Sequence, residues 1–191
     1  GFDETGRIAG VDFVQYTRCG WAQDLSLPVA DRAMLHSDNA YLLENARIES
    51  HRLKTNTQSA TAYRGFGGPQ GMLGIERVLD HIAHDLGRDP LDVRRVNYYA
   101  AMDDIAGASG GSLSGKMKPQ TTPYGMEVED FVLHEMSDAL EASSDYQARR
   151  AAVAEWNAQN TILKKGIALT PVKFGISFTL THLNQAGALV H

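Results

Sequence analysis

The sequence predicts an α+β protein: strand-rich at its start, helical through its middle and returning to strands at its end. Three observations carry that expectation. β-branched and aromatic residues mark several short stretches before residue 64, apolar residues recur at three- and four-residue steps between 72 and 156, and strand character reappears from Gly166. The order strands, helices, strands, without an internal repeat, argues against a regular βαβ alternation.

Residues 1–66 read as strand-rich with one short helix. Asp3–Gly6 signals a turn, and Ile8–Tyr16 follows as the first strand. Leu27-Pro28 opens a helix through about His36, because proline's missing N–H costs nothing in a first helical turn. Arg47–Lys54 and Thr57–Tyr63 are further strand candidates. Residues 67–162 read as helical. Met72, Ile75, Leu79, Ile82 and Leu86 line one face of an amphipathic helix closed by Gly87. Asp89 then caps a second helix, Pro90 enters it, and Asp92 sits favourably at the positive end of its dipole, with an expected end near Ala100. Gly107–Gly115 reads as a Gly/Ser surface loop. Val128, Phe131, Val132, Met136, Ala139 and Leu140 mark a third helix; Asp145 is placed to cap a fourth, containing Tyr146, Val153 and Trp156. Residues 163–191 read as the start of a further strand-rich part, with Gly166–Phe174 as its strand.

Composition removes whole classes of function. The 191 residues carry 18 basic and 23 acidic side chains, a formal charge of −5, which disfavours the counterion-release binding of nucleic acid. Hydrophobic residues at 43% and charged residues at 21% exclude a disordered or collagen-like chain. No apolar run is long enough to span a membrane, and the start lacks a signal-segment pattern. Cys19 is the single cysteine, so an internal disulfide, an iron–sulfur cluster or a cysteine-rich zinc site is out of reach, and a cytoplasmic setting is expected. The chain opens on Gly1 and stops within the apolar run 186–191, which reads as a piece of a larger domain.

Local chemistry leaves the function open. The glycine-rich stretch Gly65–Gly71 lacks the lysine of a phosphate-binding loop and the spacing of a dinucleotide fingerprint. Its plain reading is a tight strand-to-helix turn. Its sharper reading is a rigid platform that brings Arg64 and Phe66 to a planar ligand, beside the N–H donors of a helix start. His81 and His84 share one helix turn without a third ligand nearby, and no metal site is expected. Cys19 reads as a small buried apolar residue.

Longer motifs say more. Thr61–Met72 (TAYRGFGGPQGM), with Lys54–Asn56 just before it, resembles the signature of the molybdenum-binding part of xanthine dehydrogenases. Asp31–Asn39 (DRAMLHSDN) is similar to that family's substrate-arginine segment. Thr170–Thr179 (TPVKFGISFT) and Leu183–Ala188 (LNQAGA) resemble a third block of the same family. The likeness covers nearly the whole chain and is loosest near 107–117.

The resemblance implies part of a larger molybdopterin-binding domain, in an enzyme that oxidises hypoxanthine and xanthine to urate. It matches Arg32 to the arginine on the purine's carbonyl side and Phe66 and Phe178 to two aromatics that hold the heterocycle. It likewise matches Thr179 to a substrate-binding hydroxyl and Arg64 to the cofactor's surroundings. It also implies that the general-base glutamate lies outside these residues, and that FAD and iron–sulfur clusters sit on other domains or subunits. The isolated chain is then expected to be inactive, to hold no molybdopterin and to self-associate through exposed strand edges. The alternatives are a relative acting on aldehydes or another N-heterocycle, of which the aldehyde-oxidising relatives would not keep Arg32, and a non-catalytic module of the same fold.

Overall fold

The computed structural model of the protein describes residues 1–100 and 120–191, so the Gly/Ser stretch at 107–115 lies outside the described residues. These residues form β1 (Val11–Arg18), α1 (Ser26–Leu35), β2 (Ala46–Leu53), α2 (Gly68–Leu86), α3 (Pro90–Val96), α4 (Leu133–Ser143), α5 (Tyr146–Gln159) and a single 3-10 turn at Thr181–Leu183. Helix and strand are mixed, as the α+β reading expects. Among the described residues no helix is long and apolar enough to cross a membrane.

β1 and β2 pair in parallel, from Val11 opposite Ala46 to Arg18 opposite Leu53. Parallel neighbours need a crossover, and α1 supplies it, so the first third is one βαβ unit rather than a run of strands. β1 alternates strictly, with Val11, Phe13, Gln15 and Thr17 turned inward and Asp12, Val14, Tyr16 and Arg18 exposed. The ladder starts at Val11, not Ile8, because the residues before it are claimed elsewhere. Asn97 accepts the Ile8 N–H at 2.8 Å and donates to the Gly6 carbonyl at 2.8 Å.

The inner face of the sheet meets α2, whose Ile75, Leu79, Ile82 and Ala83 form the core with Ile8, Tyr41, Leu43, Val93 and Tyr98. Gly87, at φ 64°, ends α2 where the sequence places its stop. At its other end α2 touches α1 backbone to backbone. A Cβ on Gly67, which sits at φ 98°, would overlap the Val29 carbonyl, and one on Gly71 would overlap that of Ala33. The turn enters a helix as its plain reading expects, though no strand precedes it, and these two glycines let two helices meet.

Asp89 caps α3 by accepting the Leu91 N–H at 2.8 Å. α3 ends at Val96 rather than near Ala100, because the Asn97 side chain turns back to the Val93 carbonyl at 2.8 Å as it clamps residues 6–8. Arg95 reaches Asp138 at 2.5 Å and Glu141 at 2.8 Å on α4, while Tyr146 and Arg150 of α5 converge on Asp89. α4 begins at Leu133 and not at Val128, whose N–H is taken by Gln120 in a small turn. Asp145 stands before α5 at φ 51°, but its side chain makes no capping bond.

Two expected strands do not form; among the described residues none follows β2. Thr57–Tyr63 has its polar groups taken one by one by the loop that enters α1. Trp21 N–H donates to the Thr57 carbonyl at 3.1 Å, Ser26 Oγ to that of Ala60 at 2.9 Å, and the Thr61 hydroxyl accepts from Leu25. Gly166–Phe174 is extended but pairs with side chains instead of a strand.

Arg94 is 1% exposed and lies between Glu76 at 2.7 Å and Asp80 at 2.8 Å. Burial opposes its charge, but the carboxylates outweigh burial and hold the guanidinium firmly protonated. Tyr41 donates to the same Glu76 carboxylate at 2.5 Å. Removing one partner of such a cluster leaves charge buried without compensation. Glu76→Leu is expected to lower the stability of the chain by about 3 kcal/mol, read from urea denaturation; a change inside error would show that Asp80 alone suffices.

Candidate functional site

Residues 170–179 form an extended strap that lies along α1, and its backbone is held at alternate residues by groups of that helix and the turn after it. The Asn39 carboxamide donates to the Pro171 carbonyl at 2.9 Å and accepts the Lys173 N–H at 3.0 Å, imitating one rung of a β-ladder. His36 Nε2 accepts the Gly175 N–H at 3.0 Å. Arg32 donates from its two terminal nitrogens to the Gly175 and Ser177 carbonyls. The Thr179 hydroxyl donates to the Pro28 carbonyl at 2.8 Å. Pro28, Arg32 and His36 recur at four-residue steps, which puts them on one helix face, and Asn39 continues the line past the helix end.

This docking brings aromatic rings around the arginine. The Phe66 and Phe178 ring centroids are 5.2 Å apart, tilted by 48°. The Arg32 guanidinium carbon lies 5.8 Å from the Phe66 centroid and 5.3 Å from that of Phe174. Phe174 in turn leans on His36 at 5.0 Å, and fits because residue 68 is glycine, where a Cβ would overlap its ring. Phe66 adopts φ 50°, a left-handed conformation that costs a bulky residue about 1–3 kcal/mol. The surrounding turn enforces it: Phe66 N–H donates to Tyr63 at 2.7 Å and Gly68 N–H to Gly65 at 3.0 Å.

Burial dominates the electrostatics. His36 is 6% exposed; Nδ1 faces the Arg32 carbonyl at 2.8 Å while Nε2 accepts from Gly175, which defines a neutral ring protonated on Nδ1. Burial holds its pKa below the ordinary value; the bond to the Arg32 carbonyl opposes this, and the charges of Arg32 and Lys173 reinforce it. Asp38, buried two residues further on, pairs with Lys173 of the strap and keeps its other oxygen without a partner among the described residues. Burial raises that carboxyl, and Lys173 partly offsets the rise.

Of the residues named from sequence, Arg32, Phe66 and Phe178 come together. Thr179 adjoins them on the strap with its hydroxyl proton committed to Pro28. Arg64 does not join the cluster; it is exposed on the glycine turn, and makes no hydrogen bond or ion pair among the described residues. His36, Asn39 and Phe174 were missed as site residues. The signal for the first two was present, since Arg32, His36 and Asn39 follow one another at helical spacing. Phe174 reads in the sequence only as the end of an expected strand. His81 is exposed and contacts Arg77 at 2.9 Å, and no group of three or more potential metal ligands occurs among the described residues. A cavity of about 670 Å³ lies elsewhere, between residues 1–12 and the far end of α2.

A family of molybdopterin cofactor-binding domains matches residues 1–98, and the chain belongs to it. Over its whole length it is similar to xanthine dehydrogenases: 40% identical over 190 residues to that of Drosophila subobscura and to that of Oryza sativa subsp. japonica, and 40% over 191 residues to the xanthine dehydrogenase/oxidase of Gallus gallus. Each match covers 100% of this chain and 13% of the relative, so the chain spans a small part of those proteins. Among solved structures, quinoline 2-oxidoreductase from Pseudomonas putida 86 superposes with a TM-score of 0.63 at 24% identity, over 83% of this chain and 19% of that one. Aldehyde oxidoreductase from Desulfovibrio gigas gives 0.56 at 24% identity, over 84% and 15%. At that identity these structures speak for the fold alone. The cofactor that such domains bind is molybdopterin.

The residues present suit one side of an anionic cofactor. Arg64 carries an exposed charge on the turn, with no ion pair among the described residues, while Gly67 and Gly68 beside it are closed off by α1 and Phe174. The neutral state of His36 carries a pH signature. Its folded pKa lies below 6.5, so its contribution to stability is complete above that value and is lost as pH falls below it. Asp38, shifted upward, works in the opposite sense at lower pH. Unfolding free energies measured between pH 7.5 and 5 should therefore fall with acid in the native chain and fall less in His36→Gln; parallel curves would remove His36 as the cause.

Proposed function

We propose that the chain forms part of the purine pocket of a molybdenum hydroxylase that converts hypoxanthine and xanthine to urate. In this reading Arg32, Phe66, Phe178 and Thr179 meet the substrate and Arg64 faces the cofactor. The observation that carries it is the convergence of Arg32, Phe66 and Phe178 from a helix, a glycine turn and a strap. When bound, the molybdenum cofactor supplies the oxygen-transfer and electron-accepting chemistry that hydroxylates a carbon of the heterocycle.

The residues of this chain bind and polarise. Hydroxylation of a purine carbon drives negative charge into the ring and onto its carbonyl oxygens. A guanidinium already fixed in place binds that charge more strongly than it binds the neutral ground state. Arg32 has N–H groups left after its two strap bonds, including its buried Nε, which has no partner among the described residues. At 5.2 Å and 48°, Phe66 and Phe178 make a corner rather than a parallel-walled slot, so a flat ring is oriented by one face and one edge. With its proton on Pro28, the Thr179 hydroxyl presents lone pairs and suits a ring N–H. The general-base carboxylate, the flavin and the iron–sulfur centres come from other segments of the parent, and the free edges of the two-stranded sheet support further strands pairing there.

Arg32→Gln in the full-length parent tests the assignment, since the amide can still donate to the strap while the fixed charge is gone. It is expected to lower kcat for xanthine by about 10²–10³ while aldehyde oxidation persists. Equal losses on both substrates would overturn the purine reading.

A further inference from the structure

We propose that His36 is a positioning residue for the pocket: its neutral imidazole sets the Gly175 peptide, and with it Ser177, Phe178 and Thr179, at a fixed place against Arg32. The inference rests on the reading that Phe178 and Thr179 meet the substrate. The geometry is a closed circuit. The imidazole bridges the Arg32 carbonyl at 2.8 Å and the Gly175 N–H at 3.0 Å, and the Arg32 guanidinium returns to the Gly175 carbonyl. Both backbone polar groups of one strap residue are thus held by one helix turn, and that residue lies three positions before Phe178. Phe174 packs on the other side of the ring, and even a Cβ on Gly175 would come within 3.7 Å of it. No rotation of the imidazole keeps both bonds.

The bridge needs a ring nitrogen that accepts. A doubly protonated imidazole has none, so the Gly175 N–H would lose its partner and face a charged ring that is itself buried. The charged groups around His36 do not favour protonation. Arg32 on its own helix and Lys173 on the strap are cationic; Asp38 is engaged by Lys173, and Glu76 of α2 is engaged by Arg94, Tyr41 and Asn39. Acid should therefore loosen the strap and weaken substrate binding before it affects chemistry carried by other groups.

Glutamine can imitate the bridge, with its carbonyl accepting from Gly175 and its amide donating to Arg32, and it does not titrate. Leucine can do neither. The test compares the parent holoenzyme with its His36→Gln and His36→Leu variants. It reads KM and kcat for xanthine from pH 5.5 to 8.5, molybdenum content, and calorimetric affinity for xanthine in the molybdenum-depleted proteins. Loss of one buried acceptor should weaken xanthine binding about tenfold in His36→Leu, with the change in KM exceeding that in kcat. The native enzyme should show a rise in KM toward acid, and His36→Gln should stay close to the native affinity at pH 8 and lack that rise. Native binding and KM in a molybdenum-replete His36→Leu would overturn the proposal, as would an unchanged acid rise in His36→Gln. If His36→Leu fails to fold or to load molybdenum, the acid limb of His36→Gln decides alone. If no protein binds xanthine but all oxidise quinoline or an aldehyde, the purine reading fails by itself, and the same variant contrasts on that substrate decide the role of His36.

Discussion

An extended backbone with no neighbouring strand must still satisfy its polar groups, and the way residues 170–179 meet that constraint organises the rest of the site. Buried N–H and C=O groups left without partners cost as much as several favourable contacts gain. Here the partners are side chains. Asn39, His36 and Arg32 engage residues 171, 173, 175 and 177, and Thr179 closes the series on the Pro28 carbonyl. Helix repeat and strand repeat differ, so long side chains spaced by three or four residues reach backbone groups spaced by two. The arrangement delivers Phe178 to Phe66 without a sheet.

A rigid frame stands behind this contact. The Asn39 amide also donates to Glu76 at 2.8 Å, and Glu76 is the acid that holds buried Arg94. A continuous set of charge-assisted bonds therefore runs from α3 through α2 to the strap. On the opposite side Gly67 and Gly71 bring α2 against α1 with no side chain between them, so the two walls of the site share a backbone contact. Phe66 holds a strained conformation on that contact. Strain of this kind persists only where the surroundings determine it, and the tight turn beside two packed helices does so.

What was legible in the sequence follows from range. The helices α1, α2 and α3 were readable because periodicity, Pro28, Gly87 and the Asp89-Pro90 start act within a few residues. The parallel pairing of β1 and β2 was not, because nothing local distinguishes a strand that waits for a partner beyond a helix from one that pairs at once. Gly166–Phe174 has strand composition, yet composition records how a side chain fits a pleated surface, not whether a neighbour exists. In the site, the resemblance supplied Arg32, Phe66 and Phe178, which the structure brings together. The residues that bring them together, His36 and Asn39, share helical spacing with Arg32, but the backbone they bind lies more than 130 residues further on, beyond the reach of any local pattern.

The double engagement of Arg32 then has a physical consequence. A guanidinium that swung free in the pocket would have to be ordered during reaction, and part of its electrostatic benefit would be spent on that ordering. Bonds to the Gly175 and Ser177 carbonyls fix the plane of the group beforehand, and Phe66 and Phe174 pack near a side chain that is buried. The same bonds make the arginine part of the wall that carries Phe178. Charge and ring are thereby placed by one structure, and a change that moves the strap moves both, so in this fold substrate orientation and charge stabilisation are not independently adjustable.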